Sequence, residues 1–244
     1  MLLFPITAPL FAALEEPLKD NGGYHFRFEG TKYVINMDTQ GKVTFSSKKL
    51  EKDDPTVAAK NRIRLSFGSR EIKPNNFKWV SFNKLKTQIK QSSSKFSIIM
   101  VGEMETGVKF ASKIEGSKSK VILITDMTRP DEVSFHMGFH VPKAPEGFDK
   151  KGLVVKLSDK KKKFSHVCKS PYETKNYKVP CRQVLVQNRN PLSLIFDSGK
   201  AEGHFTVVQH SHHQGSLLNN PFSIYYNNGE QNWQAKKNTF VFSF

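Results

Sequence analysis

Short runs of alternating or β-branched residues recur roughly every ten positions along this chain, with turn signals between them. The runs are Tyr24–Phe28, Lys32–Asn36, Lys42–Ser46, Arg62–Phe67, Phe96–Val101, Val121–Thr125 and Val133–His140, then Leu153–Leu157, Gln183–Val186, Leu192–Phe196, His204–Val208, Phe222–Tyr226 and Thr239–Phe244. Asn21-Gly22-Gly23, Gln40-Gly41, Pro74-Asn75-Asn76, Ser198-Gly199 and Asn227-Asn228-Gly229 punctuate them. Period-two alternation sends successive side chains to opposite faces, so each run can bury one face and wet the other. Many such strands at even spacing build a sandwich. One stretch departs from this rhythm. Trp79, Phe82, Leu85 and Ile89 fall at three- and four-residue steps, which predicts a short amphipathic helix. The expected fold is all-β: a single jelly-roll-like β-sandwich over residues 21–244, with one or two short helices and an apolar N-terminal arm over residues 1–20.

The chain has 244 residues, enough for one generous β domain or two small ones, and no internal repeat or long linker divides it. With 37% hydrophobic and 25% charged residues it can fill a core, unlike a disordered chain. No apolar run approaches the ~18 residues of a membrane-crossing helix. Met1–Ala13 is apolar like a secretion signal, yet no basic residue precedes the stretch, and Pro5 and Pro9 interrupt it. It reads as an arm that packs on the domain or on a neighbouring subunit. Cys168 and Cys181 form no disulfide framework and no zinc spacing, and they suit one bridge or two free thiols equally.

The net charge is +16, and its location is informative. Residues 60–95 hold ten Lys/Arg and one acidic residue; residues 150–182 hold eleven Lys/Arg against Asp159 and Glu173. The rest of the chain is close to neutral. In Asn61–Phe67, Ile63, Leu65 and Phe67 alternate with Arg62, Arg64 and Ser66, the pattern of a half-buried strand offering arginines to solvent. Downstream, Phe77, Trp79 and Phe82 are interleaved with Lys78, Lys84, Lys86 and Lys90. The second cluster centres on Lys160, Lys161, Lys162 and Lys163, a turn expected between strands at Gly152–Leu157 and Phe164–Cys168. A charge run is commonly a solvated face. Two separate clusters in an otherwise neutral chain also fit the footprint of a polyanion.

Signs of catalysis are few. The chain has no phosphate loop, nucleophile elbow or HExxH motif. His204, His210, His212 and His213 cluster without a carboxylate at ligand spacing and read as a polar loop; no metal or other cofactor is expected. His136 and His140 would share a face of one strand, as half-buried histidines do. Asp131 and Glu132 would point to opposite faces and make a poor acid/base pair. A non-enzyme is the expectation. Tyr225, Tyr226 and Trp233, beside Asn227 and Asn228, could stack on sugar rings and bond their hydroxyls. That segment resembles the closing stretch of starch- and glycogen-binding β-sandwich modules. The plainer alternative is a hairpin turning at Asn228-Gly229.

Three segments in order resemble the "30K" superfamily of plant-virus movement proteins, particularly its tobamovirus branch. They are Phe96–Met104, an apolar strand ending in Gly102-Glu103; Val121–Val133, with Asp126 at the position of the family's signature aspartate; and Gln183–Asn190 running into Pro191–Phe196. The resemblance implies a jelly-roll protein that binds single-stranded RNA or DNA without sequence preference. It also implies peripheral contact with host membranes and a place in the cytoplasm or at plasmodesmata, where such proteins carry viral genomes between cells. On that reading Arg62, Arg64, Lys78, Lys84, Lys86 and Lys160–Lys163 contact phosphates, and Trp79 offers a stacking surface. Asp126 fixes a strand end. Two alternatives stand beside it. One is a self-assembling capsid or occlusion-body protein on the same sandwich, in a virion or occlusion body. The other is a carbohydrate-binding module.

Overall fold

The computed structural model describes residues 26–38, 40–71, 77–78, 84–128, 130, 132–142, 154–158, 166–167, 183–189, 192–197, 204–209, 222–227 and 238–244. These form two antiparallel sheets and two short helices. The first sheet has eight strands. Its order is β1 (Phe26–Glu29), β2 (Tyr33–Met37), β3 (Val43–Ser47), β4 (Ile63–Glu71), β10 (Val133–Val141), β16 (Phe222–Asn227) and β15 (His204–Gln209). The short β5 (Phe77–Lys78) pairs with the second half of β4. The second sheet has nine strands, beginning with β12 (His166–Val167), β11 (Val154–Ser158), β13 (Gln183–Arg189) and β14 (Leu192–Asp197). It continues through β17 (Asn238–Ser243), β9 (Lys120–Thr128), β8 (Lys109–Ser117), β7 (Lys95–Glu103) and β6 (Lys84–Gln91).

The chain is thus the all-β sandwich expected from its alternation, and every run named above coincides with or overlaps a strand. The odd residues of β4 show why: Ile63, Leu65, Phe67 and Ser69 are buried, while Arg64 between them is exposed. Aromatic rings carry much of the contact between the sheets. Phe96 of β7 meets Phe26 and Phe28 of β1 at 5.1 and 4.8 Å, Phe67 meets Phe110 of β8 at 4.5 Å, and Phe139 meets Phe242 of β17 at 5.0 Å. Burying each such ring is worth about 1.5–3 kcal/mol, before any gain from ring geometry. Tyr33 stacks on Phe244 at 4.0 Å and donates its hydroxyl to the Ser117 carbonyl at 2.6 Å, which ties β2 of the first sheet to the end of β8 in the second. Burial pushes its phenol well above the ordinary value.

Two expectations are corrected. The stretch expected as an amphipathic helix forms β6 at its C-terminal end. Leu85 and Ile89 satisfy both a helical and a strand period, and pairing with β7 from Lys84↔Glu103 to Gln91↔Phe96 decides between them. Asn228 and Gly229, the turn of the alternative hairpin, lie outside the described residues; β16, the arm before them, pairs on both sides with β10 and β15. Asp126 does not end its strand: it lies two residues inside β9, opposite Ala111. Where two strands were expected around the lysine run, β11 and β12 pair antiparallel through Lys156↔Val167 and Leu157↔His166.

The helices sit where no helix was expected. Ser47 caps α1 (Lys48–Asp53) by accepting from the Leu50 amide at 3.3 Å. Asp54 ends it and in turn caps α2 (Pro55–Lys60), accepting from Val57 at 3.0 Å, with Pro55 at the first helical position. Together they cover the outer side of β2 and β3, where Val34, Ser46 and Ala58 are buried.

Candidate functional site

Register alone assembles a face on the outer side of β4, β10, β16 and β15. Arg64 lies opposite His140, His140 opposite Ser223, and Ser223 opposite Val208. One step along, Ser66, Gly138, Tyr225 and Thr206 form the next row. Beyond it, Gly68 pairs with His136 and Asn227 with His204. The partners of these positions in alternation (Leu65, Phe67, Met137, Phe139 and Ile224) are buried between the sheets, which puts the named residues on the far side.

The middle of this face is low. Gly68 and Gly138 bring no side chain, and the Ser66 hydroxyl is turned onto the Gly138 carbonyl at 3.2 Å. Adjacent strands lie about 4.8 Å apart and residues two apart on a strand about 6.8 Å. The two glycines, both buried, leave a gap in the row of outward side chains, a hollow flanked in register by the positions of Arg64 and His140 at one end, of His136 at the other and of Tyr225 along one side. Arg64 is exposed and His140 half-buried. The outward positions of these four strands hold arginine, serine, histidine, tyrosine, threonine and asparagine and no carboxylate. A surface of this kind can offer hydrogen bonds in both directions and a ring for stacking.

The residues expected to contact phosphates do not gather. Arg64 and β5, which carries Lys78, belong to the first sheet; Lys84 and Lys86 belong to β6, at the edge of the second. Lys86 is exposed. Arg62 is committed elsewhere, with its Nη2 3.1 Å from Oε1 of Glu51 and its side chain only 15% exposed. Glu51 also pairs with Arg27 at 3.4 Å and accepts from the Ser46 hydroxyl at 2.6 Å. Burial pushes the Glu51 carboxyl up. The Ser46 hydrogen bond and the two guanidinium groups outweigh it and hold the group below its ordinary value. Asp126 is half-buried on the outer side of the second sheet, away from the hollow. Tyr225 and Tyr226 take opposite faces: the latter shares that of the buried Ile224. Residues 1–25, Trp79, Asp131, Lys160–Lys163, Cys168, Cys181, His210, His212, His213 and Trp233 lie outside the described residues. Among the described residues no group of three or more His, Cys, Asp and Glu is placed to hold a metal, and no helix is long and apolar enough to cross a membrane.

Sequence reasoning treated His136 and His140, Arg64, and Tyr225 as separate features. Only the pairing of β10 with both β4 and β16 joins them, and those strands are far apart in the chain. The signal in the sequence was the alternation of each strand, which gives each residue's face but not its neighbours.

No protein-family model matches the chain, and no curated protein matches it. Among solved structures, it is similar to the α-N-acetylgalactosaminidase NagBb of Bifidobacterium bifidum in complex with N-acetylgalactosamine, with a TM-score of 0.58 at 9% identity. The overlay covers 89% of this chain and 35% of that one, so the chain spans about a third of that enzyme's length. A quadruple mutant of the same enzyme matches equally, at a TM-score of 0.58 and 8% identity over 89% of this chain and 35% of that one. The Slr1438 protein of Synechocystis gives a TM-score of 0.44 at 9% identity, over 92% of this chain and 96% of that one. At these identities the likeness is one of fold: the chain has the β-sandwich architecture of a portion of the glycosidase.

Proposed function

We propose that this chain recognises a saccharide in the hollow on the outer face of its first sheet. The observation that carries the reading is the register that sets Arg64, His136, His140 and Tyr225 around Gly68 and Gly138. A sugar ring has an apolar face for an aromatic ring and a rim of hydroxyls that donate and accept, and this set of residue types suits both. The sandwich is also shared with an enzyme whose substrate class is a sugar. Binding rather than glycoside hydrolysis is the activity proposed. Hydrolysis ordinarily uses a pair of carboxylates, and the outward positions of these strands hold none.

The test is calorimetric titration of the full chain with galactose, N-acetylgalactosamine, glucose and their disaccharides. Saturable binding of at least one is expected, weakened roughly tenfold by Tyr225→Ala, the scale of one lost stacking contact. Binding that Tyr225→Ala and Arg64→Ala both leave unchanged, or no binding across the panel, overturns the proposal.

A second reading, binding of single-stranded nucleic acid in viral transport, draws on the net charge of +16 and on the exposure of Arg64 and Lys86. It asks for a footprint continuous across both sheets. A salt series with a labelled single-stranded RNA addresses it: a slope of several units in log affinity against log salt supports it, and absence of binding near physiological salt removes it.

A further inference from the structure

At the opposite side of the sandwich, the outer face of the second sheet carries a cleft of about 540 Å³ near the β6–β7 and β8–β9 turns. We propose that this cleft binds the sulfate or phosphate esters of an acidic saccharide. The inference is independent of the hollow on the first sheet, since it uses none of the same residues.

Register explains why the cleft is basic. Lys90 of β6 faces Ser97 of β7, Ser97 faces Glu115 of β8, and Glu115 faces Ile122 of β9. Lys95 and Lys120 lie two residues before Ser97 and Ile122 on their own strands and so share the same face. Three exposed ammonium groups therefore frame an opening three strand spacings wide, about 14 Å. The one carboxylate in the lining, Glu115, is paired with Lys113 at 2.7 Å. Among the described residues none of the three lysines has an ion-pair partner. Their charge is left for a ligand.

The walls are held in place. The Ser92 hydroxyl accepts from the Lys95 amide at 3.2 Å and closes the β6–β7 turn; the Ser117 hydroxyl donates to the Lys120 carbonyl at 3.5 Å across the β8–β9 turn. Beneath the sheet, on its inner face, Gly116 lets the buried Phe96 ring close against its backbone; on the outer face the floor is the half-buried Ser97 and Ile122. A cleft already shaped loses less entropy on binding. Its free donors are cationic and its floor is uncharged, which suits an oxyanion ester on a sugar. Single-stranded nucleic acid would want an exposed ring for its bases, and the aromatic residue in this lining is buried.

The experiment titrates the full chain with a heparin-derived tetrasaccharide, its desulfated counterpart and an oligothymidylate of matching length. It compares Lys90→Gln/Lys95→Gln/Lys120→Gln with Lys49→Gln/Lys52→Gln/Lys60→Gln, an equal loss of charge on α1 and α2. The sulfated probe is expected to bind, to weaken between about 50 and about 200 mM salt, and to lose roughly tenfold or more in the cleft variant only. Equal losses in the two variants overturn the proposal, because net charge alone then explains binding. Tighter binding of oligothymidylate, equal binding of the desulfated probe, or no binding of the sulfated one also overturns it.

Discussion

Glu51 gathers three polar partners from different elements of the first sheet. Its carboxylate, 8% exposed, takes Arg62, Arg27 and the Ser46 hydroxyl, and so fastens α1 to β1, β3 and the start of β4. Glu51→Gln keeps the shape but removes the carboxylate charge beside the largely buried Arg62 guanidinium. A loss of about 2 kcal/mol in unfolding free energy is expected, measured by urea titration. The same residue sets a pH dependence. Glu51 and Glu29 both titrate below the ordinary 4.5, Glu29 mainly because it accepts from Arg27 and Lys48. A lowered folded-state value means that stability is complete above that ordinary value and is lost as pH falls through the lowered ones. The wild-type acid limb of a stability–pH profile should therefore be steeper than that of Glu51→Gln.

At the scale of elements, β6 is an edge strand, and it handles the exposure of its backbone with lysines. Lys86 and Lys90 are exposed while Leu85 and Ile89 pack on the core. Replacing Lys86 and Gln88 with valine should turn that edge into a pairing surface. Concentration-dependent association by light scattering is the expected result, with no change in the far-ultraviolet spectrum of the dilute protein. Elements also show where the sequence speaks and where it is silent. Strands such as β4 and β9 were legible because large apolar residues mark every second position. β8 was missed because its inward set is Phe110, Ser112, Ile114 and Gly116, of which only two are large and apolar. The helices escaped because they are six residues each and bury only Ala58, too little for a period to show. The hollow was illegible for a different reason. Its residues meet through strand partners some seventy to ninety positions apart, such as Ser66 with Gly138 and Gly138 with Tyr225, and no local pattern encodes that register.

For the molecule as a whole, the decisive pairing is made by β17. β17 is not an edge: it lies between β14 and β9, matching Phe242 to Phe196 on one side and to Val121 on the other. Phe242 is buried and meets both Phe45 and Phe139 of the first sheet, so the strand closes its own sheet and completes the core. Deleting residues 238–244 would leave two internal strands unpaired and the core open. That variant should show no cooperative thermal unfolding by calorimetry, where a single transition is expected of the intact chain. Pairings this distant in sequence also predict slow folding, on the millisecond-to-second scale of all-β proteins. On the ribosome the consequence is sharper. While residues 238–243 are still inside the exit tunnel, β9 and β14 have emerged and wait without their shared neighbour. A product that stops short of β17 would present these unpaired edges to proteases, and any product that includes it conceals them only once β17 has emerged.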